Sequence, residues 1–170
     1  MGGAKRLLCG ALLLGALLAQ AQTKNAPIPT QILAARKVFI SNVGADPDVT
    51  ETFNRLGQSG QPYNRLYAEM KTWGRYELAS SPADADLVFE IRFSAPLLDC
   101  EKVTTYAPQY RLSIVDIKTH FTLWTLSAPV EGAFRKATFE KNLSQGMATL
   151  MADLKQLSAQ GSPDVAAVSP

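Results

Sequence analysis

Two apolar patterns constrain the fold of this chain more than any other feature. From Leu87 to Ser94, every second residue is a large apolar one (Leu, Phe, Ile, Phe), and the residues between them are Val, Glu, Arg and Ser. This alternation gives a β-strand one strongly apolar face. Between Phe134 and Leu157, apolar residues recur every three or four positions, the spacing of an amphipathic helix. Each apolar face needs a partner, so the two patterns predict a sheet that is covered by a helix.

The remaining elements predict an α+β fold with two main helices on one face of a single mixed sheet. Further strands are predicted at 36–42, 75–79, 109–117 and 120–127, and a first helix at 63–73. The strands at 86–94, 109–117 and 120–127 follow one another with a tight last connection, which is typical of an antiparallel meander. The chain has 170 residues and one apparent core, so we expect a single α+β domain over 36–157.

The two ends of the chain are predicted to lie outside this domain. Residues 1–21 have the pattern of a signal peptide: Lys5 and Arg6, an apolar run, and a small-residue site that predicts cleavage before Gln22. The apolar run is too short for an uncleaved membrane anchor, and Cys9 lies too early for a lipid-modified cysteine. We therefore expect a periplasmic or secreted protein without stable membrane insertion after signal removal. Residues 22–35 are predicted to be a flexible lead-in and 158–170 a disordered tail.

Charge and cysteine content restrict the possible partners. The whole chain has 17 Lys and Arg against 15 Asp and Glu, and the signal peptide contains two of the basic residues and no acidic ones. The remaining chain is balanced at 15 of each sign, which argues against nucleic-acid binding through a broad basic surface. Cys100 would be the single cysteine left after export, so a dimer through a Cys100 disulfide is possible.

Residues with catalytic or metal-binding chemistry are few. His120 is the single imidazole, and Asp116 precedes it by four residues, so the two could form an acid–base or metal pair; the alternative is an exposed histidine in a turn. The pairs Asp46/Asp48 and Asp84/Asp86 are explained by turn chemistry rather than calcium binding. The sequence has no phosphate-binding glycine loop, HExxH run or Gly-x-Ser-x-Gly elbow. We therefore predict no catalytic residue, no cofactor and no metal.

Several short segments resemble a group of small bacterial envelope domains. They are the Gly-Arg-Tyr-Glu-Leu run at 74–78, Ala-Asp-Leu-Val at 85–88, and the segment from Ile114-Val115-Asp116 to Leu123-Trp124. In their order they resemble the amino-terminal domain of TolB, the curli-secretion lipoprotein family and related families of unknown function. The chain differs by lacking a lipobox and by having His120 where glycine is common. The resemblance implies a non-enzymatic, envelope-associated fold and supplies no active site.

The face of the sheet opposite the helices is the predicted partner-binding surface. If Phe121 and Leu123 point toward the helices, Trp124 lies on the opposite face with Glu90, Arg92 and Arg111. The alternative is that Trp124 packs into the core. We predict an exported, non-enzymatic bacterial envelope protein that binds another envelope protein in envelope assembly or maintenance. The other hypotheses are a small hydrolase that uses His120 with a nearby carboxylate, and a carrier of a small apolar ligand.

Overall fold

A computed structural model describes residues 27–45, 61–100, 103–133 and 135–160, and these form a layer of helices on one β-sheet. The helices are α1 (Thr30–Ala34), α2 (Gln61–Trp73) and α3 (Lys136–Ala159). The strands are β1 (Lys37–Ala45), β2 (Glu77–Leu78), β3 (Leu87–Ser94), β4 (Leu97–Cys100), β5 (Val103–Tyr106), β6 (Gln109–Asp116) and β7 (Thr122–Pro129).

The main sheet is mixed, as predicted, and has the strand order β2-β1-β3-β6-β7. Strand β1 pairs in parallel with both β2 and β3, whereas β3, β6 and β7 form the predicted antiparallel meander. Strands β4 and β5 form a separate two-stranded hairpin between β3 and β6. The fold is therefore α+β with a single five-stranded mixed sheet.

The core lies between one face of the sheet and the helices. Phe89 and Ile91 of β3 are fully buried, as are Leu112 and Ile114 of β6, so these two strands supply the apolar floor. Helix α2 packs mainly on β1 and β3, and α3 packs mainly on β6 and β7. The apolar stripe that was predicted on the last helix is buried in the same cluster: Leu143, Met147, Leu150, Met151, Leu154 and Leu157. Both main helices therefore cover the same sheet face.

The boundaries of the domain differ from the predicted ones at both ends. The predicted flexible lead-in is wrong for its last residues, because Thr30–Ala34 is helical and Ile32 is fully buried in the core. Helix α3 extends past Leu157, and the buried Ser158 hydroxyl lies 3.0 Å from the Tyr76 hydroxyl. The two prolines before α1 suggested an irregular segment, but burial of Ile32 orders the turn after them. The signal peptide and the rest of the predicted tail lie outside the described residues.

Candidate functional site

The open face of the sheet, opposite the helices, carries a groove of 460 Å³. Strands β3 and β6 run through its floor, and the register places Arg92 directly opposite Arg111 and Glu90 directly opposite Ser113. The lining residues come from the alternate positions of these strands and from their ends: Val43, Glu90, Arg92, Ser94, Pro96, Gln109, Arg111 and Ser113. We call this the arginine groove.

Strand alternation explains why these polar side chains lie together. Phe89, Ile91 and Phe93 point into the core, so the intervening Glu90 and Arg92 point to the other side of the sheet. The same alternation on β6 places Arg111 on the open side between two buried neighbours. Both arginines are exposed and Glu90 is half-buried. The structure thus places Glu90, Arg92 and Arg111 together on the open face.

A bulge in β1 forms one wall of the groove. The pairing of β1 with β3 shifts between Asn42 and Gly44, so Val43 is an extra residue that has no partner on β3. Gly44 adopts a left-handed conformation with φ of 83°, and its N–H donates to the Asn42 side-chain oxygen at 3.1 Å. A glycine fits this backbone conformation without steric cost. The bulge leaves Val43 partly exposed at the groove.

The charges in the groove favour anionic ligands. Its described lining contains two arginines against one glutamate, and the serine and glutamine side chains add further hydrogen-bonding groups. A guanidinium group binds carboxylates and phosphates through two parallel hydrogen bonds, which gives geometric selectivity as well as attraction. Arg92 and Arg111 lie directly opposite each other, so an acidic ligand on this face would lie close to both arginines.

The prediction that Trp124 belongs to this surface is wrong. Trp124 pairs with the fully buried Ile114, and it is half-buried against the core on the helix side of the sheet. The register shifts next to this pair, where Thr122 is opposite Val115 and Leu123 is an extra residue. Phe121, which was expected to face the helices, is 72% exposed. The alternation along β7 was read correctly for Trp124 and Leu126, but their shared face is the core face.

The pair Asp116 and His120 forms a turn between β6 and β7. The Asp116 carboxylate accepts hydrogen bonds from the Thr119 hydroxyl at 2.8 Å and from the Lys118 N–H at 3.2 Å. The bond from Thr119 and then that from Lys118 lower the pKa of the Asp116 carboxyl. His120 is exposed, has φ of 59°, and donates its backbone N–H to the Asp116 carbonyl oxygen at 2.8 Å. These contacts give Asp116 a structural role in the turn, and no described contact joins its carboxylate to the imidazole.

The other residues singled out in the sequence have different positions. The Asp86 carboxylate binds backbone N–H groups at the start of β1, so it serves as a structural clamp. Asp46 and Asp48 lie outside the described residues, and so does the side chain of Cys100, whose backbone belongs to β4. Within the described ranges, no group of three or more His, Cys, Asp or Glu side chains could hold a metal ion. The disulfide-linked dimer stays a prediction.

Sequence reasoning missed part of the groove. Gln109 and Ser113 lie on the same face of β6 as Arg111, and their spacing of two residues from it was a readable signal. The bulge at Val43 and the hairpin of β4 and β5 had no clear signal, because the apolar residues there are few and do not alternate over a long run. The side-chain set of the arginine groove is therefore larger than the three residues predicted.

Comparison with known proteins identifies no family for this chain. No protein-family model matches it, and no curated protein does. Solved structures that resemble it include a hypothetical protein from Chlamydia trachomatis, at 10% identity and a TM-score of 0.43, covering 77% of this chain and 100% of that one. Uncharacterized lipoprotein B from Nitrosomonas europaea is similar at 16% identity and a TM-score of 0.38, covering 82% and 94% of the two chains.

The PelC dodecamer from Paraburkholderia phytofirmans is also similar, at 12% identity and a TM-score of 0.37, covering 70% of this chain and 86% of that one. Identities and TM-scores this low establish neither a family nor a function for the chain. The specific resemblance to the TolB domain stays a prediction. Among the described helices, none is both long and apolar enough to cross a membrane.

Proposed function

We propose that this chain is an exported bacterial envelope protein that acts by binding, and that the arginine groove is where it binds an acidic segment of another envelope protein. The observation that carries the proposal is the direct cross-strand pairing of Arg92 with Arg111 on the open sheet face. An uncovered sheet face is ordinarily solvated and polar, but it need not place two like charges opposite each other. A carboxylate-rich partner would be attracted to both arginines.

The geometry of the groove supports a peptide-like ligand more than a small molecule. Six of the eight lining residues of the groove are charged or polar, whereas small-molecule sites are mostly apolar. Glu90 lies on the same strand as Arg92 and two residues from it, so a partner needs complementary charges of both signs in a defined order. Such mixed charges contribute to specificity and association rate.

The two other hypotheses from the sequence find less support. A hydrolase based on His120 would need a carboxylate to orient the imidazole, and the Asp116 carboxylate is hydrogen-bonded within its own turn. An apolar-ligand carrier would need space between the sheet and the helices. That layer is occupied by side chains with 0–1% exposure, including Leu66, Met70 and Leu150.

Export to the envelope is part of the proposal and rests on the signal-peptide pattern of residues 1–21. An intact-mass measurement on protein recovered from the exporting host tests it. A mass that begins at Gln22 supports export and cleavage. A mass that retains residues 1–21, or that includes a diacylglyceryl group, would contradict the predicted processing.

The binding proposal is tested with a fluorescently labelled, glutamate-rich ten-residue peptide and its glutamine counterpart. Fluorescence anisotropy should show binding of the acidic peptide that weakens as salt is added, because the attraction is electrostatic. Substituting Arg111→Gln should weaken it by roughly tenfold, the effect of about 1.4 kcal/mol. Lys141→Gln, which removes an equal charge from an exposed position on α3, is the matched control and should change the affinity little.

A pull-down from envelope extract then tests whether the partner is a protein. Recovery of the same partner by the wild type and by Lys141→Gln, with loss in Arg111→Gln, would support the groove as its site. Equal loss in both variants would indicate a non-specific charge effect. If neither peptide binds and recovery is unchanged in Arg111→Gln, the groove is not the binding surface.

A further inference from the structure

The two edges of the five-stranded sheet are built differently. Strand β2 at one edge has two residues and is flanked by an ion pair between Lys37 and Glu77 at 3.0 Å. Strand β7 at the other edge has eight residues, and no charged residue occurs from Thr122 to Pro129. Natural edge strands are commonly kept short or charged, which prevents pairing with other chains. By these criteria β2 is protected and β7 is not.

The hydrogen-bonding pattern shows which groups of β7 face outward. The Val130 N–H donates to the Pro108 carbonyl at 2.8 Å, so these residues form a hydrogen-bonded pair at the end of the β6–β7 ladder. Antiparallel pairs alternate between bonded and non-bonded types. Counting back along the register, Ser127 and Thr125 occupy non-bonded pairs with β6. Their N–H and C=O groups therefore point away from β6, toward the open edge.

The side chains beside this edge divide between the two faces of the sheet. Thr125 is exposed on the open face, opposite Ser113 of β6. Trp124 and Leu126, its neighbours, lie on the helix face and are both half-buried against the core. Thus the central part of the edge combines outward backbone groups with two incompletely covered apolar side chains.

We propose that the β7 edge pairs with the β7 edge of a second copy of this chain, antiparallel about a two-fold axis at Thr125. In this register the two Thr125 residues exchange both outward N–H and C=O bonds, and Trp124 of each copy lies opposite Leu126 of the other. Threonine pairs and aromatic–aliphatic pairs are favourable cross-strand combinations. The proposal is independent of the binding function argued above.

A second copy fits this edge for reasons of symmetry and charge. In a two-fold interface, a residue close to the axis lies near the same residue of the other copy. Any charge near the axis would therefore meet a like charge. β7 contains none, and its apolar pair is self-complementary because the two side chains lie on either side of Thr125. The bulge at Leu123 and the proline at 129 limit the pairing to the segment between them.

The dimer would join the two sheets into one sheet of ten strands. An axis perpendicular to the sheet places both arginine grooves on the same side. Each groove lies over β3 and β6, so four strand spacings separate the two, or about 19 Å measured across the strands at the usual distance between neighbouring strands. Two grooves on one surface would allow one partner, or two linked segments, to bind both copies.

The test is the mass of the purified exported protein in solution, measured by sedimentation velocity between about 1 μM and about 1 mM, the range expected for a small interface. We expect a concentration-dependent dimer. Thr125→Lys places two ammonium groups at the axis and should weaken dimerisation by roughly tenfold or more. Thr122→Lys is the matched control, because Thr122 is an exposed threonine of the same strand away from the axis. It should weaken dimerisation far less.

A second variant tests the backbone bonds themselves. Thr125→Pro removes the outward N–H while leaving the ladder to β6 complete, so it should abolish the dimer and retain the circular dichroism of the folded chain. Hydrogen exchange at the Thr125 amide should slow as protein concentration rises. A monomer throughout the concentration range, a dimer that is indifferent to Thr125→Lys, or protection of this amide at every concentration would each overturn the proposal. The last result would mean that another segment covers the edge.

Discussion

The carboxylate of Asp86 binds the backbone of Lys37, which lies 49 positions earlier in the chain. One carboxylate oxygen accepts the Lys37 N–H at 2.9 Å and the Arg36 N–H at 2.8 Å, and the Asp86 N–H donates to the Lys37 carbonyl at 2.9 Å. Asp86 directly precedes β3, and Lys37 begins β1. These bonds join the starts of two parallel strands and fix the register that pairs Val38 with Leu87.

Asp86→Asn should lower the free energy of unfolding by up to about 1 kcal/mol at neutral pH, because bonds to a charged acceptor are stronger than bonds to an amide and solvent around this exposed carboxylate reduces the difference. The Lys37 and Arg36 N–H groups lower the pKa of the Asp86 carboxyl in the folded chain. Its contribution is therefore present above about pH 4 and is lost as the pH falls through the folded-state pKa. The free energies of unfolding of the wild type and the variant, measured by urea melts, should therefore converge in acid. Asp84→Asn, in the same turn, is the control and should have little effect.

Gly146→Ala should destabilise the chain, although alanine is the better helix former. A Cβ at this position of α3 would lie 2.6 Å from a Val130 methyl carbon and 3.2 Å from the Pro129 carbonyl oxygen. Overpacking of this kind costs about 1–3 kcal/mol, which exceeds the gain of about 1 kcal/mol in helix propensity. In a Val130→Ala background the same change should be neutral or stabilising. Equal losses in both backgrounds, measured in a double-mutant cycle by denaturant melts, would contradict the contact.

The effect of a substitution at His120 on stability should depend on the backbone conformation there rather than on the loss of the imidazole. With φ of 59°, His120→Gly should leave stability unchanged or raise it by up to about 1 kcal/mol, since glycine adopts this conformation freely. His120→Val should lower it by about 1–2 kcal/mol, because a β-branched residue is strained there. Thermal melts of the wild type and the two variants give the order of their stabilities. A valine variant as stable as the glycine variant would show that the turn relaxes.

Leu150→Ala should cost about 2–5 kcal/mol in the free energy of unfolding, because Leu150 is fully buried in the centre of α3. Gln145→Ala, at an exposed position on the same helix, should change it by less than about 0.5 kcal/mol. Denaturant melts measure both. A loss near zero for Leu150→Ala would mean that α3 is peripheral to the core.

Local sequence periods determined which side chains of a strand or helix face the core and which face solvent. The alternation along β3 and β6 placed Glu90, Arg92 and Arg111 on the solvent side, and the helical stripe from Leu143 to Leu157 identified the covering helix. Side-chain direction follows from the period of a strand or helix once one face is strongly apolar, which is why these local patterns define the faces.

The tertiary structure decided how the strands meet. Whether Trp124 joins the arginine groove or the core depends on its pairing with Ile114 and on the extra residue Leu123 beside that pair. The opposition of Arg92 and Arg111, and the position of β7 at an edge, likewise depend on register and strand order. An alternating pattern defines two faces without stating which one is buried at the margin of a sheet. Pairing with the neighbouring strand makes that choice, and a single bulge changes it.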